Sequence, residues 1–255
     1  MADKDKRLKF SRQYRIMISK SCGLSLVALT PPMNRKKTYV FFAAVFFGCL
    51  LTPLKAQVNL KAGYNISFLS DPGMNEVIQT FEDQQDYSSD YDKFSWLHGF
   101  ETGLRVKSGV SAFEITYQNG YQRLRAKGDL NGGTMPFTDE IKISVQSAGI
   151  GYYASGEIFG MGTDVQYQWY RTKVELADPV IKFRDIQEMW AMKFYCVLTL
   201  RGSGGIDAAL QPYFILPFGK YDHDPLSLFL NQETGPAAKK WNRFGLSFLF
   251  YNGDK

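Results

Sequence analysis

Residues 57–69 read QVNLKAGYNISFL, and apolar and polar side chains alternate along them without a break. One side carries Val58, Leu60, Ala62, Tyr64, Ile66 and Phe68, and the other carries Asn59, Lys61, Gly63, Asn65 and Ser67. A period of two is typical of a β-strand, because successive side chains point to opposite faces. The stretch therefore predicts a strand with one apolar side.

The same alternation returns in seven later stretches, which makes eight strands in all. They are residues 95–107, 111–122, 140–153, 157–171, 188–201, 206–218 and 241–251. No convincing helix of domain length is expected among them. Short connections, at 108–110, around 155–156 and at 202–205, alternate with the long loops 70–94, 123–139, 172–187 and 218–240. Strict alternation of short and long connections indicates an antiparallel up-and-down meander.

Alternation alone fits a soluble barrel with an apolar interior as well as a membrane barrel with an apolar exterior. The polar side carries small residues and charges of both signs, and these can fill a narrow lumen by pairing with one another. In 140–153 this reading places Lys142 and Ser144 on the polar side, opposite Ile141 and Ile143. The predicted lumen charge network is Glu101, Arg105, Glu114, Lys142, Asp164, Lys193, Arg201, Asp207 and Arg243.

Aromatic side chains lie near the strand ends on the apolar side. They are Trp96, Tyr121, Tyr167, Trp169 and Trp190. Aromatics at strand ends suit membrane interfaces, and strands of this length cross a bilayer when tilted. A closed barrel also leaves no backbone group unpaired in lipid. The sequence therefore predicts an all-β, eight-stranded antiparallel transmembrane β-barrel.

At the level of pattern, four segments resemble the small eight-stranded outer-membrane β-barrel domain proteins of the PorT-like and OmpA-like families. They are KAGYNISFL, HGFETGLRV, ALQPYFILPF and the terminal RFGLSFLF. The resemblance covers residues 57–251. It implies residence in the outer membrane of a Gram-negative-type envelope, with membrane lipid and the barrel assembly machinery as partners. The chain departs from the terminal insertion signal of such barrels, because it continues past Phe250.

The segment before the first strand resembles an export signal. Residues 33–56 have a basic start, a 14-residue apolar run from Thr38 to Leu51 and a small-residue exit at Ala56. The run is shorter than the roughly 20 residues of a membrane-spanning helix, so we expect a signal peptide cleaved after Ala56. An uncleaved anchor and a lipid attached at Cys49 are the alternatives. Residues 1–32 are expected to be a non-structural extension, with translation starting at Met33 rather than Met1, and residues 57–255 form the barrel domain.

Cleavage changes the charge of the chain. Of its 30 basic and 25 acidic residues, 11 basic and two acidic ones precede Gln57, which leaves 19 basic and 23 acidic residues. The basic character of the full sequence therefore does not point to nucleic acid as a partner. Cys196 is the single cysteine after Ala56 and can form neither an internal disulfide nor a cysteine cluster.

No constellation of residues predicts catalysis, a cofactor or a metal. His98 lies on the apolar face, and His223 lies in a long loop that we expect to be solvated. The first long loop is strongly acidic but lacks the spacing of a calcium-binding loop, so we expect a hydrated surface there.

The sequence predicts a non-catalytic protein with a structural, surface-interaction or assembly and secretion-accessory role. Its four loops would meet envelope or extracellular partners. A lipid-modifying outer-membrane enzyme acting on lipid A or phospholipid acyl chains, and a soluble periplasmic lipid-binding barrel, are the alternatives.

Overall fold

The computed structural model describes residues 57–85, 87–130, 135–156, 158–177, 180–200, 202, 205–230, 232 and 235–252. The predicted extension, the signal peptide, Cys49 and Arg201 lie outside these residues. The strands are β1 (Gln57–Leu69), β2 (Tyr87–Ser89), β3 (Trp96–Ser108), β4 (Ser111–Leu130), β5 (Met135–Ser155), β6 (Phe159–Leu176), β7 (Ile181–Leu200), β8 (Ile206–Pro217) and β9 (Arg243–Asn252). Two helices, α1 (Pro72–Glu82) and α2 (Asp224–Phe229), lie between strands.

Eight of the strands close into a ring. The order is β4-β3-β1-β9-β8-β7-β6-β5, every neighbouring pair is antiparallel, and pairing of β4 with β5 closes the circle. The short β2 pairs with β4 at Gly128 and Lys127, beyond the part of β4 that pairs with β3. A closed ring has no unpaired strand edge. The predicted fold class, an eight-stranded antiparallel up-and-down barrel, is confirmed.

The two ends of the barrel differ. At one end, called the turn end, short turns near Gly109, Gly156 and Gly205 join the strands, and Gly109 and Gly205 have positive φ angles of 62° and 78°. Glycine adopts this left-handed conformation without the steric cost that a side chain adds. The opposite end, called the cap end, carries both helices and β2.

Two of the four predicted long loops are wrong. Residues 123–139 and 172–187 mostly continue the strand pairs β4–β5 and β6–β7, which pair as far as Leu130–Met135 and Leu176–Ile181. These four strands have 18–21 residues, whereas β1, β3, β8 and β9 have 10–13. The longer strands therefore extend beyond the rest of the ring. Their cap-end parts, residues 121–130, 135–144, 171–176 and 181–188, are called the wall.

The other two loops fold into a cap, defined here as residues 70–95 and 218–242. Asp71 begins α1 by accepting a hydrogen bond from the backbone N–H of Gly73, and Pro72 occupies the first turn. The apolar residues of α1 recur at helical spacing and are all buried, namely Met74, Val77, Ile78 and Phe81. Neither helix in the described part of the chain has the length and apolar character needed to cross a membrane.

The interior has two layers. Beneath the cap, apolar side chains from the cap pack against the inner face of the wall, including Trp241 and Phe94 against Leu124, Ile141 and Val174. Nearer the turn end the inner face is polar and aromatic, with Tyr153, Tyr195, Tyr213 and Tyr251 among small residues. Outside, large apolar side chains are exposed, such as Leu60 at 61% and Phe244 at 57%.

Glycines make room for the inner tyrosines. A Cβ atom at Gly162 would lie 2.3 Å from the Cζ atom of Tyr195, a distance that no packed side chain tolerates. We therefore predict that Gly162→Ala destabilises the barrel by about 1–3 kcal/mol through overpacking. Urea unfolding in detergent, followed by tryptophan fluorescence, measures the change. Ala148→Val is the matched control, because Ala148 is exposed on the outer face of β5 and its added methyl groups meet no inner side chain. An equal effect of both substitutions would contradict the prediction.

Candidate functional site

A buried ion-pair network lies in the polar layer of the lumen, and Glu101 of β3 is at its centre. Its Oε1 atom accepts a hydrogen bond from Nζ of Lys61 at 3.0 Å, and its Oε2 atom accepts one from Nζ of Lys193 at 3.0 Å. Ser247 Oγ also donates to Oε2, at 2.9 Å. Gln211 Nε2 lies 3.4 Å from Oε1. One carboxylate therefore contacts side chains from β1, β7, β8 and β9.

Glu114 of β4 forms the second centre of the network. Lys61 Nζ donates to its Oε2 atom at 3.1 Å, Tyr195 OH donates to the same oxygen at 2.8 Å, and Arg105 Nε donates to Oε1. The Arg105 guanidinium lies between two rings, with Cζ 4.1 Å from the centroid of Tyr153 and 4.3 Å from that of Tyr251. Such cation–π contacts stabilise a guanidinium that has little access to water.

The network is almost completely removed from solvent. The side chains of Lys61, Glu101, Glu114 and Lys193 are all 0% exposed. Burial of an ion is costly unless its partners are close and its remaining hydrogen-bonding groups are satisfied. Shared lysine partners and the hydroxyls of Ser247 and Tyr195 meet this condition here. At this level the lumen is therefore occupied by charged side chains that are paired with one another.

Five of the nine predicted lumen residues lie together in this layer. They are Glu101, Arg105, Glu114, Asp164 and Lys193, with Asp164 directly opposite Lys193 in the strand register and accepting a hydrogen bond from Thr116 Oγ1 at 3.2 Å. Arg243 is buried next to Tyr170, with its Cζ atom 5.9 Å from the ring centroid. Asp207 lies half-buried at the turn end and accepts a hydrogen bond from the backbone N–H of Gly202.

The prediction that Lys142 faces the lumen is wrong. Its neighbours Ile141 and Ile143 are buried on the inner face, so Lys142 lies outside, where its Nζ atom is 5.1 Å from the ring centroid of Tyr121. The prediction failed because the inner face of the wall is apolar beneath the cap. On β5 the buried residues at that height are Ile141 and Ile143, so Lys142 between them points outward.

The predicted network omitted Lys61, although the alternation places it on the polar side of β1. That alternation is the signal that could have included it. In the structure Lys61 lies opposite Gly103 of β3, the strand that also carries Glu101. Of the tyrosines in the network, Tyr195 also lies on the polar side of its alternating stretch, whereas Tyr153 and Tyr251 carry no such signal, because aromatic residues occur on both faces of this barrel.

The predicted interface aromatics lie on the outer face in two groups. Tyr167 contacts Trp169 and Trp190, with ring centroids 5.1 and 5.0 Å apart. His98 joins the other group, with centroids 5.0 Å from Trp96 and 4.5 Å from Tyr121. Its Nδ1 atom is 2.8 Å from the hydroxyl of Tyr64.

Asp71 is the polar centre of the cap. Its Oδ2 atom lies 2.7 Å from Nε2 of His223 and accepts a hydrogen bond from Nε1 of Trp241. The indole of Trp241 stacks on Tyr221, with centroids 4.1 Å apart. The expectation of a solvated His223 is therefore wrong, because the side chain is completely buried. Asp71 is buried too, whereas the other described acids of the first loop are exposed or half-exposed.

Burial also sets the protonation of the cap tyrosines. It raises the pKa of Tyr87, and the neighbouring Asp139 carboxylate raises that pKa further. Burial likewise raises the pKa of Tyr221. Both hydroxyls stay protonated at neutral pH, so Tyr87 donates to Asp139 Oδ2 at 2.6 Å and Tyr221 bonds to Thr172 at 2.7 Å. These bonds attach the cap to the wall.

In the part of the chain that the structure describes, His98 bonds to the hydroxyl of Tyr64 and His223 bonds to Asp71. Neither histidine bonds to a serine or a cysteine side chain, and Ser227 Oγ donates to Gln232 instead, at 3.4 Å. The described part of the chain likewise contains no group of three His, Cys, Asp or Glu residues arranged to hold a metal ion.

Comparison with known proteins gives structural likeness only. No protein-family model matches the sequence, and no curated protein matches it significantly. Ail, the attachment invasion locus protein of Yersinia pestis, solved with the heparin analogue sucrose octasulfate, is 7% identical with a TM-score of 0.45, over 78% of this chain and 99% of that one. Neisserial surface protein A is 10% identical with a TM-score of 0.40, over 78% and 99%. The outer-membrane protease OmpT of Escherichia coli is 10% identical with a TM-score of 0.36, over 77% and 94%.

Removal of the central carboxylate tests the network. We predict that Glu101→Gln destabilises the barrel by about 3–5 kcal/mol, because it leaves Lys61 and Lys193 buried with too little negative charge. Addition of Lys193→Met should recover part of the loss, since it removes the buried cation whose salt-bridge partner was Glu101, whereas Lys61 keeps Glu114. Urea unfolding in detergent measures both variants. Glu175→Gln is the control, because its pair with Lys182 is exposed and should contribute less than about 1 kcal/mol. A loss with Glu101→Gln no larger than the control would show that the network is not stabilising.

Loss of the cap centre should loosen the cap and leave the barrel intact. We predict that Asp71→Ala removes the hydrogen bond that begins α1 and the shared partner of His223 and Trp241. Local opening of the cap should then let trypsin cleave at Lys93, Lys220, Lys239 or Lys240 at least about tenfold faster. Glu76→Ala, on the exposed face of α1, is the matched control. Unchanged cleavage would refute the prediction. An equal loss of barrel stability would refute it too, because the cap would then not open separately from the barrel.

Proposed function

We propose that this chain is an integral outer-membrane β-barrel protein that is closed to solutes, catalyses no reaction and presents its cap to partners outside the membrane. The observation that carries the proposal is the contrast between the two barrel faces. The lumen holds ion pairs with no exposure to solvent, while the outer face exposes large apolar side chains on every strand of the ring.

The outer face supports membrane insertion on physical grounds. A soluble protein rarely exposes an apolar surface of this extent, because each apolar Å² in water costs about 25 cal/mol. In hydrocarbon the same surface costs nothing, and the closed hydrogen-bonded ring leaves no unpaired backbone group among the strands. The predicted export signal supplies a route to the outer membrane.

The filled lumen supports a role other than passage of solutes. An eight-stranded barrel is only wide enough for its interior to hold side chains. Here the network of Glu101 and Glu114 occupies one layer, and the apolar packing beneath the cap closes the cap end above it. A solute would have to break buried ion pairs to pass.

The cap supports a role in contacting other molecules. It is a folded unit of two loops held by a common core, rather than four independent loops. Its exposed acidic residues, among them Glu76, Asp83, Asp90 and Asp92, give it a negative surface on the first loop. We infer that envelope or extracellular partners, including those of an assembly or secretion role, meet this surface.

The non-catalytic part of the proposal rests on the two histidines. His98 bonds to Tyr64 on the outer face, and His223 is enclosed in the core of the cap, bonded to Asp71 and packed against the ring of Tyr221, with no serine or cysteine bonded to it in the described residues. A serine-type hydrolase needs a nucleophile within hydrogen-bond reach of its base.

Electrophoresis and conductance test the proposal together. We predict that the chain lacking residues 1–56 migrates faster unheated than heated, stays with membranes after an alkaline wash, and gives no steady conductance in planar lipid bilayers. His98→Ala and His223→Ala should leave the lipid A and phospholipid products of cells unchanged. Release of the folded protein into detergent-free buffer would overturn membrane insertion. A steady conductance would overturn the closed lumen, and a lipid product lost with the folded variants would overturn the non-catalytic role.

A further inference from the structure

Four cations lie directly beside one another on the outer face of the wall. In the strand register Arg123 of β4 is opposite Lys142 of β5, Lys142 is opposite Lys173 of β6, and Lys173 is opposite Arg184 of β7. We call these four residues the cation row. With about 4.8 Å between neighbouring strands, the row spans roughly 14 Å.

Like charges directly opposite each other on a sheet are destabilising, so such a row requires a compensating partner. Among the described residues, few carboxylates compensate the charge of the row. No carboxylate lies within salt-bridge distance of Lys142, Lys173 or Arg184, and Arg123 reaches only Glu140, at 3.9 Å. Glu140 is already bonded to Arg125 at 2.9 Å.

The neighbouring rows show that this imbalance is local. In the next outward-facing row toward the cap end, Arg125, Glu140, Glu175 and Lys182 carry two positive and two negative charges and form two ion pairs. One position toward the turn end, the row consists of Tyr121, Ser144, Arg171 and Ile186 and adds another cation. Glu188 lies two residues past Ile186 on the outer face of β7, and it already accepts a hydrogen bond from Tyr167.

The cation row borders the exposed apolar side chains of the outer face, which we call the apolar belt. On β4, Arg123 follows Tyr121 on the same face, and on β6, Arg171 and Lys173 follow Trp169. Aromatic residues of this kind mark the depth at which a bilayer changes from hydrocarbon to headgroups. Cations just beyond them therefore lie at the depth of lipid headgroups. An open groove extends this surface toward β3, and its lining includes Asp92, Lys93, Trp96, His98, Tyr121 and Arg123.

We propose that the cation row binds the phosphate groups of net-negative lipid headgroups, carried by an anionic phospholipid or a phosphorylated glycolipid. Arginine and lysine both bind phosphate oxygens, arginine through two parallel hydrogen bonds. Cations near a membrane surface gain from negative lipids, and the position of the row beside the belt favours a headgroup over an anion in free solution. This inference rests on the proposed membrane insertion.

Tryptophan quenching by brominated lipid tests the site. The mature chain, starting at Gln57, is reconstituted into vesicles of phosphatidylcholine and phosphatidylglycerol, with bromine on the acyl chains of one lipid at a time. Trp96, Trp169 and Trp190 lie on the outer face and report lipid contact, whereas Trp241 is buried in the cap and gives a constant background. The ratio of the two quenching curves gives the preference for the anionic lipid.

We expect the wild-type protein to prefer phosphatidylglycerol, and Lys142→Gln with Lys173→Gln to lower that preference by roughly fivefold to twentyfold. The matched control, Lys127→Gln with Lys182→Gln, removes the same charge from exposed positions of the wall outside the row and should leave the preference within about twofold. Heat-dependent migration on a gel establishes that each variant is inserted. If the double variant does not insert, the single substitutions replace it.

Three results would overturn the proposal. They are an inserted wild-type protein without preference for phosphatidylglycerol, an equal loss in the control, and no loss in the double variant. A fourth arm adds inorganic phosphate and heparin to the protein in neutral vesicles. Row-dependent binding of these soluble anions, without a preference for anionic lipid, would assign the row to a soluble polyanion instead. Failure of insertion in every variant and in the wild type would count against the proposed function, not against the cation row.

Discussion

The carboxylate of Glu101 is the contact on which the closed interior depends. It accepts hydrogen bonds from Lys61 and Lys193 and from Ser247, so a single side chain of β3 is bonded to β1, β7 and β9 across the lumen. The backbone hydrogen bonds hold each strand to its neighbours, but only side-chain contacts across the lumen fix the distance between opposite sides of the barrel. Because both lysines are fully buried, their charges need this carboxylate as a partner.

The two interior layers explain why the barrel is tall on one side. The polar layer can close the lumen with side chains alone, because tyrosines lie over glycines such as Gly160 and Gly162 and reach the network. Nearer the cap end, β1, β3, β8 and β9 stop, and the wall continues without strands opposite it. The cap supplies the missing partner surface: Met74, Phe94 and Trp241 cover the inner face of the wall as a helix covers a sheet. The wall and the cap therefore need each other.

Much of this fold follows from the period of two, and the failures have a common physical cause. Alternation identified all eight strands of the ring, and Val58, Leu60 and Phe68 point outward as the pattern of β1 indicates. It failed where the environment of the inner face changes. Lys142 is predicted in the lumen from its polarity but faces outward, and residues 123–139 and 172–187 are predicted as loops but mostly continue the strands. The helix α1 carried a readable signal, with Asp71 and Pro72 before apolar residues at helical spacing. The Asp71–His223 contact did not, because it joins residues 152 positions apart.

The change of environment is itself visible along each strand of the wall. On β4 the outward residues Phe113, Ile115 and Tyr117 oppose inward Thr116 and Gln118, and further along outward Arg123 and Arg125 oppose inward Leu124 and Ala126. On β6 outward Val165 and inward Gln166 give way in the same manner to outward Lys173 and inward Val174. The backbone period continues through the change, and only the polarity of the two faces is exchanged. A strand that stays in one solvent has no reason to exchange them. Under the proposed membrane insertion, the exchange at Tyr121 on β4 and near Trp169 on β6 marks the height at which the surroundings of the barrel pass from lipid to water, and the cation row begins at that height.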